Sequence, residues 1–294
     1  MPEFFQRMGE TFARNPAGGF QELVTELGQI DEQALRGINV TFDEERRAGL
    51  ETREKFLKAA REKGYEVIHR AADERYLGEL VEGLRQHMEH RERYAKLDVT
   101  LVDCPIADGM CFPGGFLVFT TGLLDEPDEA TVAGVVAHEL GHLDRGHMYD
   151  HVRRGKLAEQ TYGRAPGFDI RFDEFFSRQI ALFGLMMNPF RPEQEHEADC
   201  DAATWLYLDG YDPNALVRFF ERMHRRQQDQ PDSPFFAFGR SHPYSLDRGA
   251  HVEARFKQLR RWKPRVELGL YPKNLRKRSS HFADGRQAEA AGRD

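Results

Sequence analysis

Between Asp43 and Lys63 the chain is charged, with sparse apolar positions at Leu50, Phe56 and Leu57, and it stops at Gly64. The next stretch, Glu66–Tyr94, sets Val67, Ile68, Tyr76, Leu77, Leu80, Val81, Leu84 and Met88 at a period of about 3.6 residues. Both are predicted as helices with broad polar faces, and Phe20–Leu27 as a shorter one ending near Gly28. At Lys96 the period falls to two: Leu97, Val99 and Leu101 alternate with Asp98 and Thr100, which predicts a strand. Asp108-Gly109 reads as a turn and Phe116–Thr121 as a second strand. Pro113 has no N–H for a sheet ladder, and Gly114 and Gly115 loosen the backbone, which places this second strand at a sheet edge.

A helix is predicted again from Pro127, with Asp128 and Glu129 in a first turn that favours acids. Val132, Val135, Val136, Leu140 and Leu143 give it a buried stripe, an amphipathic pattern. Gly134 and Gly141 sit inside it, each costing about 1 kcal/mol against alanine, so another element should approach closely there. Residues 150–192 read as an irregular insert, polar at first and apolar over Ile180–Met187. It fits a lid or plug as well as a plain helical hairpin. Three further helices are expected: one from Pro192 to Gly210, one from Asp212-Pro213 to about Gln228, and one from Ser241-His242-Pro243 to near Trp262. The pattern divides the chain into a helical segment over 1–96 packed on a central domain over 97–262, with a basic, flexible tail over 263–294.

Composition narrows the class. Hydrophobic residues make up 40% of the 294 positions, enough for a sizeable core. The net charge of −7 comes from well-mixed charges, 42 basic and 49 acidic, which argues against a nucleic-acid surface over the whole protein. Cys104, Cys111 and Cys200 are odd in number and lack CxxC spacing, so no disulfide framework is expected. No apolar run is long enough to span a bilayer and no signal peptide stands at the N-terminus. As written, the chain reads as soluble and cytoplasmic, or periplasmic if an export signal was removed upstream. Its oligomeric state is not legible.

The candidate chemistry lies on the Pro127 helix. His138, Glu139 and His142 spell HExxH, which puts two imidazoles on one helical face with a glutamate beside the first. A third histidine on the same segment would follow a glycine at position 145 and stand at 148. Arg145 and Met148 occupy those places, and His147 reads as a structural or surface histidine. Glu195 and Asp199, four apart on the next helix, share a face. A carboxylate there would complete a three-ligand catalytic metal site, and Asp199 could hold the N–H of His138 or His142. The competing reading of these acids is a solvated face, while Ala198, Ala202 and Ala203 favour close packing. His196 and Glu197 point away from that face.

HELGH followed by E-x-x-A-D resembles the gluzincin peptidases that include the CAAX prenyl-protein endopeptidases, the HtpX-like proteases and the BepA-like outer-membrane quality-control proteases. The segment Asp108–Gly115 ending in Pro-Gly-Gly resembles the family's segment ahead of its edge strand, with Asp108 where asparagine is usual. Ser241-His242-Pro243 with Arg248 resembles its T-H-P-x-x-x-x-R pattern. The membrane helices of the first two groups are absent, so the likeness is nearer the soluble BepA-like branch.

The resemblance implies a mainly helical α+β, zincin-like domain with a small sheet whose edge strand borders the metal. It implies one Zn2+ per chain on His138, His142 and Glu195, with Glu139 as general base. It further implies His242 as an oxyanion donor or a latency cap and Arg248 as support; the strand itself, over Gly115, Phe116, Leu117 and Val118, reads either as an edge that pairs with an extended peptide or as an ordinary core hairpin. The expected function is endopeptidase cleavage of unfolded or extended protein segments, with a role in protein quality control. The rival is a latent metalloprotein acting as a chaperone or interaction module.

Overall fold

The computed structural model describes residues 35–162, 190–229, 246–265 and 267–278. The expected helix at Phe20–Leu27, most of the 150–192 insert and the segment holding His242 lie outside the described residues.

Helix α1 (Phe42–Glu62) begins on a reciprocal cap. Glu44 N–H donates to Thr41 Oγ1 at 3.2 Å, and Thr41 N–H donates to the Glu44 carboxylate at 2.8 Å. Val67–Ile68, expected in the following helix, instead forms a short strand, β1, and helix α2 covers only Ala71–Arg85. A pair of apolar residues suits either period, and here the pairing of Val67 with Val102 and Ile68 with Leu101 decides it.

Strands β2 (Asp98–Val102), β3 (Gly109–Phe112) and β4 (Phe116–Thr120) complete a sheet of order β1-β2-β4-β3. This corrects the edge assignment. β4 pairs in parallel with β2 on one side and antiparallel with β3 on the other, so Phe116, Leu117 and Val118 have no open side for another strand. Gly115 is engaged as well, its carbonyl accepting from Asp98 N–H at 2.9 Å. Pro113-Gly114-Gly115 is the hairpin turn between β3 and β4, where no ladder N–H is needed and the positive φ of Gly114 (+73°) and Gly115 (+88°) is accommodated. The edge strand of this hairpin is β3, with β1 at the other edge of the sheet.

Helix α1 braces this turn. Arg46 donates to the Gly114 carbonyl at 2.8 Å, and Gly114 N–H donates to the buried Glu45 carboxylate at 3.0 Å. Tyr94 O–H and the Arg93 guanidinium also bond that carboxylate, as a buried charge requires.

After a short turn of helix, α3 (Thr121–Leu124), comes α4 (Glu129–Asp144), capped by Asp128, whose carboxylate accepts from Thr131 N–H at 2.8 Å. Every residue of α4 is buried, so it is not the one-sided amphipathic helix expected. It is the central rod of the domain, surrounded by α2, β3, α6 (Pro192–Asp209) and α7 (Asn214–Asp229). The interior glycines mark the approaches. A Cβ on Gly141 would stand 3.1 Å from Ala198 Cα of α6, and one on Gly134 would stand 3.4 Å from Leu216 of α7.

Gly146, at φ +74°, leads into α5 (His147–Tyr162), so the start of the 150–192 insert is helical, in line with one of its two readings. Helix α8 (Leu246–Trp262) packs on α6 and α7. The first part of the expected flexible tail instead folds back. Helix α9 (Pro272–Arg278) buries Leu275, and the Leu270 carbonyl accepts from Ala130 N–H at 3.1 Å, at the start of α4. Among the described residues, no helix is long and apolar enough to cross a membrane.

Candidate metal centre

Close packing of α4 on α6, with Gly141 against Ala198, brings the two halves of the motif together. His138, His142 and Glu195 are each at most 3% exposed, and each offers a ligand atom to one common point. The separations are 3.1 Å between the two histidine Nε2 atoms, and 3.5 Å from each Nε2 to a Glu195 oxygen. Ligands held tetrahedrally about 2.0–2.2 Å from a zinc ion stand roughly 3.3–3.6 Å from one another. The donor set and its spacing therefore fit a divalent ion that takes nitrogen and carboxylate ligands.

Asp199, one turn after Glu195, accepts from His138 Nδ1 at 2.9 Å, which turns Nε2 toward the common point. Arg248, from α8, donates through Nε and Nη2 to the two Asp199 oxygens at 2.8 and 2.7 Å. Its Nη1 lies 2.8 Å from Glu195 Oε2, and its guanidinium stacks 4.1 Å from the Phe220 ring centroid. One cation thus holds two buried carboxylates. Burial alone would raise the Asp199 pKa, but the charge and hydrogen bonds of Arg248, with His138, bring it down to about 2.

Glu139 is fully buried beside His138. β3 lies against this part of α4: a Cβ on Gly109 would meet Val135 at 2.8 Å. Burial, and then the neighbouring Glu139 carboxylate, pushes the Cys111 thiol of β3 well above its ordinary pKa.

Two contacts were not read from the sequence. His147 is buried, with Nδ1 2.8 Å from His142 Nδ1 and Nε2 3.1 Å from a Glu197 oxygen. Burial lowers its pKa against the pull of Glu197. Phe190 stacks on the His142 ring, with centroids 3.9 Å apart and planes 23° apart. The available signal for His147 was Gly146: a left-handed glycine after α4 sends the next residue back toward His142. For Phe190, which lies far from His142 in sequence, no local signal existed. Of the expected site residues, the structure brings together His138, Glu139, His142, Glu195, Asp199 and Arg248. His242 lies outside the described residues.

The chain is 28% identical over 127 residues to the mitochondrial metalloendopeptidase OMA1 of Arabidopsis thaliana, covering 43% of this chain and 25% of that one. It is 27% identical over 139 residues to the metalloprotease LoiP of Escherichia coli, covering 46% and 53%. It is 24% identical over 175 residues to OMA1 of Schizosaccharomyces pombe, covering 59% and 48%. The chain thus spans between about a quarter and about half of the length of these relatives. A family model described as Peptidase family M48 matches residues 75–256, which take in β2–β4, α4, α6 and Arg248. More than half of the sequence carries that match, and the chain belongs to peptidase family M48.

Proposed function

We propose that the chain is a zinc-dependent endopeptidase acting on extended or unfolded protein segments. The observation that carries this reading is the triangle of buried ligand atoms on His138, His142 and Glu195, with Glu139 on the adjoining turn position. A zinc ion there would polarise the scissile carbonyl and bring the pKa of a water toward about 7. Glu139 takes the proton of the attacking water and delivers it to the leaving amine. Asp199 and Arg248 hold His138 and Glu195 in register. Asp199 stays ionised throughout the neutral range, because its pKa is depressed.

Substrate would enter as an added strand. β3 is the sheet edge nearest α4 and its Cys111 lies by Glu139; its four residues are buried, so substrate pairing there requires its present cover to be displaced. The resemblance assigns His242 to the developing oxyanion, and a role in protein quality control rests on that resemblance alone.

The testing experiment is casein cleavage by wild type and Glu139→Gln, with zinc content measured on both. The expected result is equal zinc and a rate lower by about 10²–10⁴-fold in the variant. Equal cleavage by both would remove Glu139 from the reaction.

A second reading, a latent metalloprotein, is favoured by the burial of Glu139 and all three ligands. Wild type that holds one zinc and cleaves nothing would select it.

A further inference from the structure

We propose that His147 and Glu197 form a hydrogen-bonded relay that fixes the tautomer and orientation of His142 for metal binding. The inference deepens the metal-centre reading and rests on it. Two ring nitrogens 2.8 Å apart require one proton between them, so the Nδ1 atoms of His142 and His147 form a donor–acceptor pair. The direction is set from the site. His142 Nε2 faces His138 Nε2 and Glu195, so it must be bare to bind a metal. The proton of a neutral His142 then sits on Nδ1 and is donated to His147. With Nδ1 accepting, neutral His147 carries its proton on Nε2, which donates to Glu197 at 3.1 Å.

Each tautomer follows from the one before. His138 has the short form of the same device, a direct bond from Nδ1 to Asp199. His142 has the long form, with an imidazole inserted before the carboxylate. Phe190 holds the face of the His142 ring while His147 holds its edge. The two relay residues come from different elements: His147 opens α5 directly after Gly146, and Glu197 lies on α6 between Glu195 and Asp199. The relay therefore ties the α4–α5 turn to the helix that supplies the third ligand. His147 is a positioning residue. It does not touch the reacting atoms.

The test is the zinc dissociation constant of the full chain, measured by competition with a chelating indicator, with unfolding curves of the metal-free proteins alongside. His147→Leu keeps the volume and loses the acceptor. Its zinc affinity should fall by about 10–100-fold, the usual effect of removing a group that orients a ligand. His147→Asn should recover most of the loss, because its Oδ1 can accept the His142 proton. Glu197→Gln, whose side chain is half exposed, should weaken binding less than His147→Leu, with metal-free stability unchanged.

If His147→Leu bound zinc like wild type, or His147→Asn bound it as weakly as His147→Leu, the relay would be overturned. If Glu197→Gln bound zinc like wild type, Glu197 would be removed from it. Wild type failing to bind zinc would overturn the metal-centre reading itself, a result distinct from wild type binding one ion and the variants following suit.

Discussion

Gly134→Ala and Gly141→Ala, two turns apart on the same buried helix, should shift stability in opposite directions. Either substitution gains about 1 kcal/mol from the better helix propensity of alanine. At Gly134 the new methyl meets Leu216 side-chain atoms at 3.4 Å and Leu206 Cδ1 at 3.5 Å, ordinary van der Waals contact with side chains that can adjust. The propensity gain therefore survives. At Gly141 the new methyl lies 3.1 Å from Ala198 Cα and 3.2 Å from the Ala198 carbonyl oxygen, both helix backbone. Relief requires moving α6 as a body, and such overpacking costs about 1–3 kcal/mol.

The two variants should thus differ by about 2 kcal/mol, roughly 4–8 °C in Tm for a domain of this size. Moving α6 also moves Glu195 away from His138 and His142, so zinc affinity should fall in Gly141→Ala and hold in Gly134→Ala. Urea unfolding in chelator measures the first effect and a zinc competition titration the second. If Gly141→Ala were as stable as Gly134→Ala and bound zinc equally, the idea that Gly141 sets the helix separation would be refuted.

Arg248→Met should destabilise the metal-free protein by about 3–5 kcal/mol, because it leaves Glu195 and Asp199 buried without their cation. Unfolding in chelator measures this, and wild-type stability would contradict it. Adding chelator to the wild type should lower Tm and re-adding zinc should restore it, since an ion that binds only the folded state stabilises it. A Tm indifferent to both would argue against a site in this fold.

Glu44 has a pKa lowered to about 2, through its hydrogen bond from Lys156 and then from the Thr41 backbone. A depressed carboxylate contributes stability above its unfolded pKa, near 4.3, and the contribution disappears as pH falls through the folded value. The stability difference between wild type and Glu44→Gln should therefore be full at pH 7 and shrink between about pH 4 and 2. A difference independent of pH would refute the assignment.

What could be read in the sequence was what short-range spacing controls. His138, Glu139 and His142 share a helix, and the same spacing rule carries Glu195 and Asp199 on the next one, so both halves of the centre were legible. Their meeting was signalled by small residues, Gly141 on one side and Ala198 on the other, which the structure places in contact. The sheet order was misread because Pro113-Gly114-Gly115 marks a turn as readily as an edge. Only the parallel pairing of β2 with β4, a contact between separated strands, tells the two apart. The all-round burial of α4 was also hidden: its alanines and glycines look neutral in a periodic pattern, yet Gly134 and Gly141 are positions where neighbouring helices come close. Val67 and Ile68 left their expected helix for a comparable reason, since a partner strand thirty-odd residues later settles their conformation.

The guanidinium that joins Glu195 to Asp199 has a consequence for biosynthesis. Arg248 lies 110 residues beyond His138 and on a different helix from both carboxylates. Chains are made from the N-terminus and fold as they emerge. A nascent chain that has reached the end of α7 already contains His138, Glu139, His142 and Glu195, yet the two neighbouring acids on α6 still await their counter-charge. Until α8 leaves the ribosome and docks, Glu195 and Asp199 lack the guanidinium that joins them. The metal centre therefore gains its last supporting contact only when synthesis has passed Arg248, so a ribosome-bound or prematurely terminated fragment carries the motif without that contact.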